Sequence, residues 1–194
     1  MVDLDSAVVA LARTEPRLRQ LNSGSLDDPR VRVLHADAFR WLRSTTEQFD
    51  VVIADLPDPD ETATAKLYSV EFYTLIRNAL AVEGRLVVQA GSPYFAPRSY
   101  WSIEASLREA GFATTPYHVD IPSFGDWGFL LAAPGANPPL LTLPSGAPTL
   151  RFLDAPTLAA AEVFPPDRGR VNVPASTLLH PRVLDYARAE WRGY

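Results

Sequence analysis

Residues 49–73 read FDVVIADLPDPDETATAKLYSVEFY, and the fold turns on this stretch. An apolar run, Val51-Val52-Ile53-Ala54, lies between Asp50 and Asp55, the pattern of a short strand buried on both faces of a parallel sheet. That places Asp55 at the strand's carboxyl end, which faces the ligand crevice in an open α/β sheet. A second carboxylate, Asp58, follows, and Pro57 and Pro59 stiffen the turn by fixing φ and restricting the residue before each. Two acidic groups on a rigid loop suit the capture of a cationic amine and the removal of its proton. The same residues admit a plainer reading, a solvated loop whose aspartates cap the next helix.

Composition bounds the rest. A chain of 194 residues, 47% of them hydrophobic, can bury one sizeable core. A net charge of -5 without a dense basic stretch argues against nucleic acid as a partner and favours small cationic molecules. With no cysteine and three scattered histidines, disulfides, thiol nucleophiles and thiolate metal sites are excluded and no metal site is expected. No apolar run approaches the roughly 20 residues of a membrane helix and no signal peptide is visible, so the expectation is a soluble, cytoplasmic chain without a membrane partner.

Towards the N-terminus, Val2 to Leu4 reads as the end of a strand, and the fifteen or so residues after it as a helix capped by Asp5 or Ser6. Asp3, at that strand's tip, is a candidate for binding the two hydroxyls of a nucleoside ribose; the alternative is a helix-start charge. Val31 to Leu34 reads as a second strand, followed by His35-Ala36-Asp37-Ala38 and a short helix through Arg40-Trp41-Leu42. Asp37 can accept from the exocyclic amine of adenine while the Ala38 backbone reaches a ring nitrogen. Asp3, Asp37 and Asp55 are thus expected on three strand tips of one sheet edge. His35 reads as an edge residue.

Towards the C-terminus, Val70 to Leu80 is an amphipathic helix ended by Glu83-Gly84, and Arg85 to Ala90 a buried strand. A helix from Tyr100 to Ala110, stopped by Gly111, precedes strands at 113–119 and 128–133. Between these strands, the loop from Ile121 to Gly128 offers Phe124 and Trp127 as hydrophobic walls for the crevice, although aromatics beside glycine are as often local packing. The order of elements predicts a doubly wound α/β fold.

IADLPDPD, KLYSVEFY, VVQAGSPYF and IPSFGDWGF, in this order, resemble the spermidine synthase family of polyamine aminopropyltransferases, above all its bacterial members fused behind membrane helices. The resemblance implies a Rossmann-like sheet of the class I methyltransferase type. It also implies transfer of an aminopropyl group from decarboxylated S-adenosylmethionine, a co-substrate rather than a bound cofactor, to putrescine or a related amine. By motif, Asp55 matches the catalytic aspartate, Asp58 its companion on the amine, Asp3 the ribose acid, Asp37 with Ala38 the adenine contact, and Gln89 a position near the cleft. Tyr68, Tyr73, Tyr94, Phe95 and Trp101 are candidates to line the methylene stem of the diamine, although each taken singly reads more readily as core than as site.

The departures are equally specific. The sequence starts at the strand after the family's glycine-rich turn, so it reads as truncated at its N-terminus. A sheet lacking a central strand is expected to associate, giving a homo-oligomer. Phe124 stands where many members have tyrosine, and one residue is added between Asp58 and Leu67. A non-catalytic remnant that binds nucleosides or polyamines, or serves as an interaction module, is therefore the alternative to an enzyme; an ordinary methyltransferase is a weaker third reading. Residues 1–133 are read as the catalytic domain. From 134 to 194 the chain reads as a proline-rich linker, then a strand and helix over Leu150 to Val163 and a helix within Asn172 to Tyr194, all packed on that domain.

Overall fold

The computed structural model describes residues 1–192, and the chain forms two compact units, Met1–Thr46 and Glu47–Tyr194. In the first, strand β1 (Val2–Asp3) leads into helix α1 (Ser6–Thr14), capped by Asp5, whose side chain accepts from the Ala7 backbone. The expected single helix is split, because Glu15 is extended and caps a second helix, α2 (Pro16–Leu21), which starts on a proline. Strand β2 (Leu34–His35) pairs in parallel with β1, Asp3 opposite His35, so Val31 to Val33 lie outside the strand. Helix α3 (Ala38–Leu42) follows. Val9 is the one buried apolar side chain of this unit among the described residues.

The second unit contains a four-stranded sheet in the order β3 (Phe49–Ala54), β4 (Leu80–Gln89), β6 (Gly125–Pro134), β5 (Phe112–Ile121). The β3–β4 pair is parallel and the other two are antiparallel. Two expectations are corrected. The three aspartate-bearing strands do not share one sheet, since β1–β2 form a sheet of their own; two-residue strands offer too short a ladder to extend. Nor is β3 buried on both faces: among the described residues its strand partner is β4, and Val51 and Ile53 are 59% and 73% exposed.

Helix α4 (Thr62–Ala65) and a one-turn helix at Lys66–Tyr68 lead to helix α5 (Val70–Ala79), whose N-cap Ser69 accepts from the Phe72 backbone. Helix α5 ends at Ala79, not at Glu83-Gly84, which instead sit inside β4, where the register against β3 jumps from Leu80 to Arg85. Alternation along β4 then sorts its side chains: Leu86 and Val88 are fully buried, while Val87 and Gln89 face the opposite side. Each such buried aliphatic contributes about 1.5–3 kcal/mol relative to leaving it in water. Helix α6 (Pro97–Glu109) packs on β5, β6 and α5, and Gly111, at φ +88°, ends it as its sequence predicts.

The tail from 134 onward belongs to the second unit and is held by polar anchors. No strand forms near Leu150; helix α7 (Ala155–Ala160) is the regular element of that segment. Arg170 makes two bonds of 2.7 and 3.0 Å to the buried Glu104 carboxylate and stacks over Trp101. The His118 ring is bonded to Asp126 and, at 2.9 Å, to the Val163 carbonyl, while Arg168 reaches Asp126 at 2.8 Å. Helix α8 (Arg182–Trp191) buries Val183, Leu184 and Ala187, and its Glu190 caps α6 by accepting from the Arg98 and Ser99 backbones. Gly193 and Tyr194, at the end of the expected helix, lie outside the described residues.

Candidate functional site

Asp55 leaves the carboxyl end of β3 exposed, at the wall of a cavity of about 500 Å³. The cavity is the side of the sheet opposite Leu86 and Val88. Ile53 is paired with Val87, and Gln89 with Phe129, so period-two alternation brings Ile53, Val87, Gln89, Trp127 and Phe129 to one face of three neighbouring strands. Phe124 and Ile121 come from the tip of the β5–β6 hairpin, which is tighter than the expected loop: Ile121 is already paired with Gly125, whose φ of +75° makes the turn. Phe124 and Trp127 form a tilted ring pair 5.2 Å apart. Between Trp127 and Phe129 the chain needs glycine, since a Cβ on Gly128 would lie 2.3 Å from the Tyr100 ring. Tyr100 passes beneath and donates to the Phe129 carbonyl at 3.0 Å.

The acidic loop is not a helix cap. Helix α4 is capped by Glu61, which removes the reading of Asp55 and Asp58 as cap residues. Asp58 is half-buried and accepts from the Gln89 amide at 3.4 Å. Gln89 in turn accepts from the Tyr68 hydroxyl at 3.2 Å, which also lies 3.0 Å from the Pro57 carbonyl and 3.2 Å from that of Leu56. Burial, followed by the charges of Asp58 and Asp55, pushes the Tyr68 pKa well above its ordinary value.

The structure thus brings Asp55, Gln89, Phe124 and Trp127 around one cavity, with Asp58 and Tyr68 joined to it through Gln89. The aromatics expected along a diamine stem are elsewhere. Tyr68 and Tyr73 are fully buried, Trp101 packs on Tyr100 and Phe164, Phe95 on Trp191, and Tyr94 lies under Arg168. Core, the alternative reading of each ring, holds for Tyr68, Tyr73 and Trp101. Phe129 was missed, although its place two residues after Trp127 on one strand carries the signal. In the first unit, Asp3 accepts from the Asp5 backbone at 2.8 Å and Asp37 from that of Arg40 at 3.0 Å, so each carboxylate already serves its own turn. Ala38 opens α3, beside Asp37. Among the described residues no group of three His, Asp or Glu is placed to hold a metal, and no helix is long and apolar enough to cross a membrane.

The chain is 56% identical over 194 residues, all of it, to polyamine aminopropyltransferase 1 of Streptomyces coelicolor, of which it spans 36%. It is 50% identical over 98% of its length to the polyamine aminopropyltransferase of Mycobacterium tuberculosis, again spanning 36%. The fold matches crystal structures of spermidine synthase. With that of Thermotoga maritima the TM-score is 0.70 at 24% identity, covering 84% of this chain and 56% of that one. With a spermidine synthase bound to the transition-state analogue AdoDATO it is 0.71 at 21% identity, covering 84% and 57%. Residues 1–140 match the model of the spermine/spermidine synthase domain, and the chain belongs to that family.

Proposed function

We propose that the chain carries the amine site, and residues of the nucleoside site, of a spermidine-synthase-like aminopropyltransferase that works as a homo-oligomer. In this reading an aminopropyl group passes from decarboxylated S-adenosylmethionine to putrescine or a related diamine. The observation that carries it is the cavity that sets the Asp55 carboxylate and the Gln89 amide against the apolar surfaces of Ile53, Val87, Phe124, Trp127 and Phe129. Such a cavity suits a molecule with a cationic end and a methylene stem. The names of the relatives point the same way, and the place of β3 at the end of the described four-stranded sheet supports association. Asp3, Asp37 and Ala38 are taken as the nucleoside side. Residues 1–133 are taken as the catalytic domain and 134–194 as its extension.

The chemistry asks little beyond alignment and one proton transfer. Asp55 holds the ammonium and accepts its proton; the free amine then attacks the methylene carbon next to the sulfonium. A nitrogen–carbon bond forms as the carbon–sulfur bond breaks, the electron pair stays on sulfur, and neutral methylthioadenosine leaves. Asp58, through Gln89, steadies the second face of the amine. Asp55→Asn keeps the volume and removes the proton acceptor, so methylthioadenosine formation is expected to fall by about 10²–10⁴ with the fold intact. Equal turnover by variant and parent would remove Asp55 from the role.

One observation favours a second reading, a binding module without turnover: the Asp3 and Asp37 carboxylates are engaged by their own backbone. Absence of methylthioadenosine from the parent reaction would select it.

A further inference from the structure

We propose that Tyr68 is a positioning residue for the acidic loop: its hydroxyl fixes the backbone between Asp55 and Asp58 and, through Gln89, the amide that faces Asp58. The inference rests on the reading of that loop as part of an amine site. Tyr68 is fully buried, and the described residues lining the Asp55 cavity do not include it. Its hydroxyl meets three acceptors instead, the carbonyls of Leu56 and Pro57 and the Gln89 side-chain oxygen, at 3.2, 3.0 and 3.2 Å. A phenol has a single hydrogen to share among them.

Leu56 and Pro57 are the two residues between the aspartates. Pro57 and Pro59 have no N–H, so the loop has few backbone donors with which to tie itself down. Tyr68, anchored in the one-turn helix before α5, supplies the tie from below. With its oxygen held by Tyr68, the Gln89 amide is left with its nitrogen towards Asp58, at 3.4 Å. Gln89 also lines the cavity, so a buried phenol, a cavity wall and the loop carboxylate form one chain. Burial and the two aspartates keep the phenol protonated, which the tie requires.

Tyr68→Phe keeps the ring and removes the tie. In the full chain, deuterium uptake of the 55–61 segment is expected to quicken about tenfold, the size of one hydrogen bond, while uptake of α5 stays as in the parent. kcat/KM for the diamine is expected to fall by a similar factor with the KM for the sulfonium co-substrate unchanged. Adding Tyr68→Phe to Gln89→Leu is then expected to cost little more than Gln89→Leu alone. Unchanged uptake of 55–61 in folded Tyr68→Phe, or fully additive losses, would overturn the proposal. Should Tyr68→Phe fail to fold, Gln89→Leu carries the test: faster uptake around Asp58 supports the chain of contacts and unchanged uptake refutes it. A parent without turnover would sink the enzymatic reading and leave the uptake measurement, which needs no catalysis, to decide the role of Tyr68.

Discussion

Asp37 and Asp55 occupy the same kind of place in the sequence, just past a short apolar strand, yet the two units treat them differently. In residues 1–46 the strands are two residues long, Val9 is the buried apolar residue, and the carboxylate closes the first turn of α3. In residues 47–194 the strands run to ten residues over buried Leu86, Val88, Leu130 and Ala132, and the carboxylate stands at a cavity. A strand-tip aspartate caps its own helix when the cap position is open. It becomes available for a ligand when another residue, here Glu61, takes the cap.

The widest gap between the units is expected in autonomous folding. A 47–194 fragment should unfold cooperatively in urea with near-native circular dichroism, while a 1–46 peptide should remain largely unfolded, since so small a core cannot offset the conformational entropy. A cooperative transition in the 1–46 peptide would break the comparison. The whole chain is also expected to associate through β3, the end strand of the described sheet; a monodisperse monomer by light scattering at high concentration would count against that.

A smaller effect concerns alkaline pH. Burial raises the pKa of Tyr68, Tyr73 and Tyr100, and to a lesser depth Tyr117, all in the second unit. Above about pH 10 the unfolded chain releases these phenolic protons and the folded chain keeps them. The unfolded state then binds fewer protons, so stability is full below that pH and falls as pH rises towards the folded values. Ultraviolet titration is expected to show a group of tyrosines that ionise only together with loss of circular dichroism. Smooth ionisation of all tyrosines in the folded state would contradict it.

What the sequence made legible follows the range of the forces involved. Local signals were readable: Gly111 stopping α6, Asp5 capping α1, and the apolar run of β3. Pairing partners were not. Val51 and Ile53 look like core residues, but their burial depends on a neighbour that four apolar letters do not specify. Glu83-Gly84 resembles a helix stop because a glycine in a bulge and a glycine after a helix are the same letter. At the cavity, Asp55, Gln89, Phe124 and Trp127, expected from motif and loop composition, lie together, whereas Tyr73 and Trp101 lie in the core, the other place their sequence allowed. Only the three-dimensional register shows which aromatics share a face with Gln89.

The finest test of the comparison lies at Asp37. If the carboxylate is only a cap, serine, which caps about as well, can replace it with a stability change within about 0.5 kcal/mol and no effect on nucleoside binding. If it also contacts adenine, Asp37→Ser keeps the helix and loses a hydrogen bond to the exocyclic amine, which is worth about tenfold in affinity. Methylthioadenosine is expected to bind this chain weakly, because the first unit supplies few groups to enclose it. Calorimetry at high protein concentration, on parent and Asp37→Ser side by side with their thermal midpoints, separates the outcomes. Equal midpoints with weaker binding in the variant give Asp37 a second role beyond its helix. Equal midpoints with equal binding leave it a cap, and the division between the two units then stands as the structure draws it.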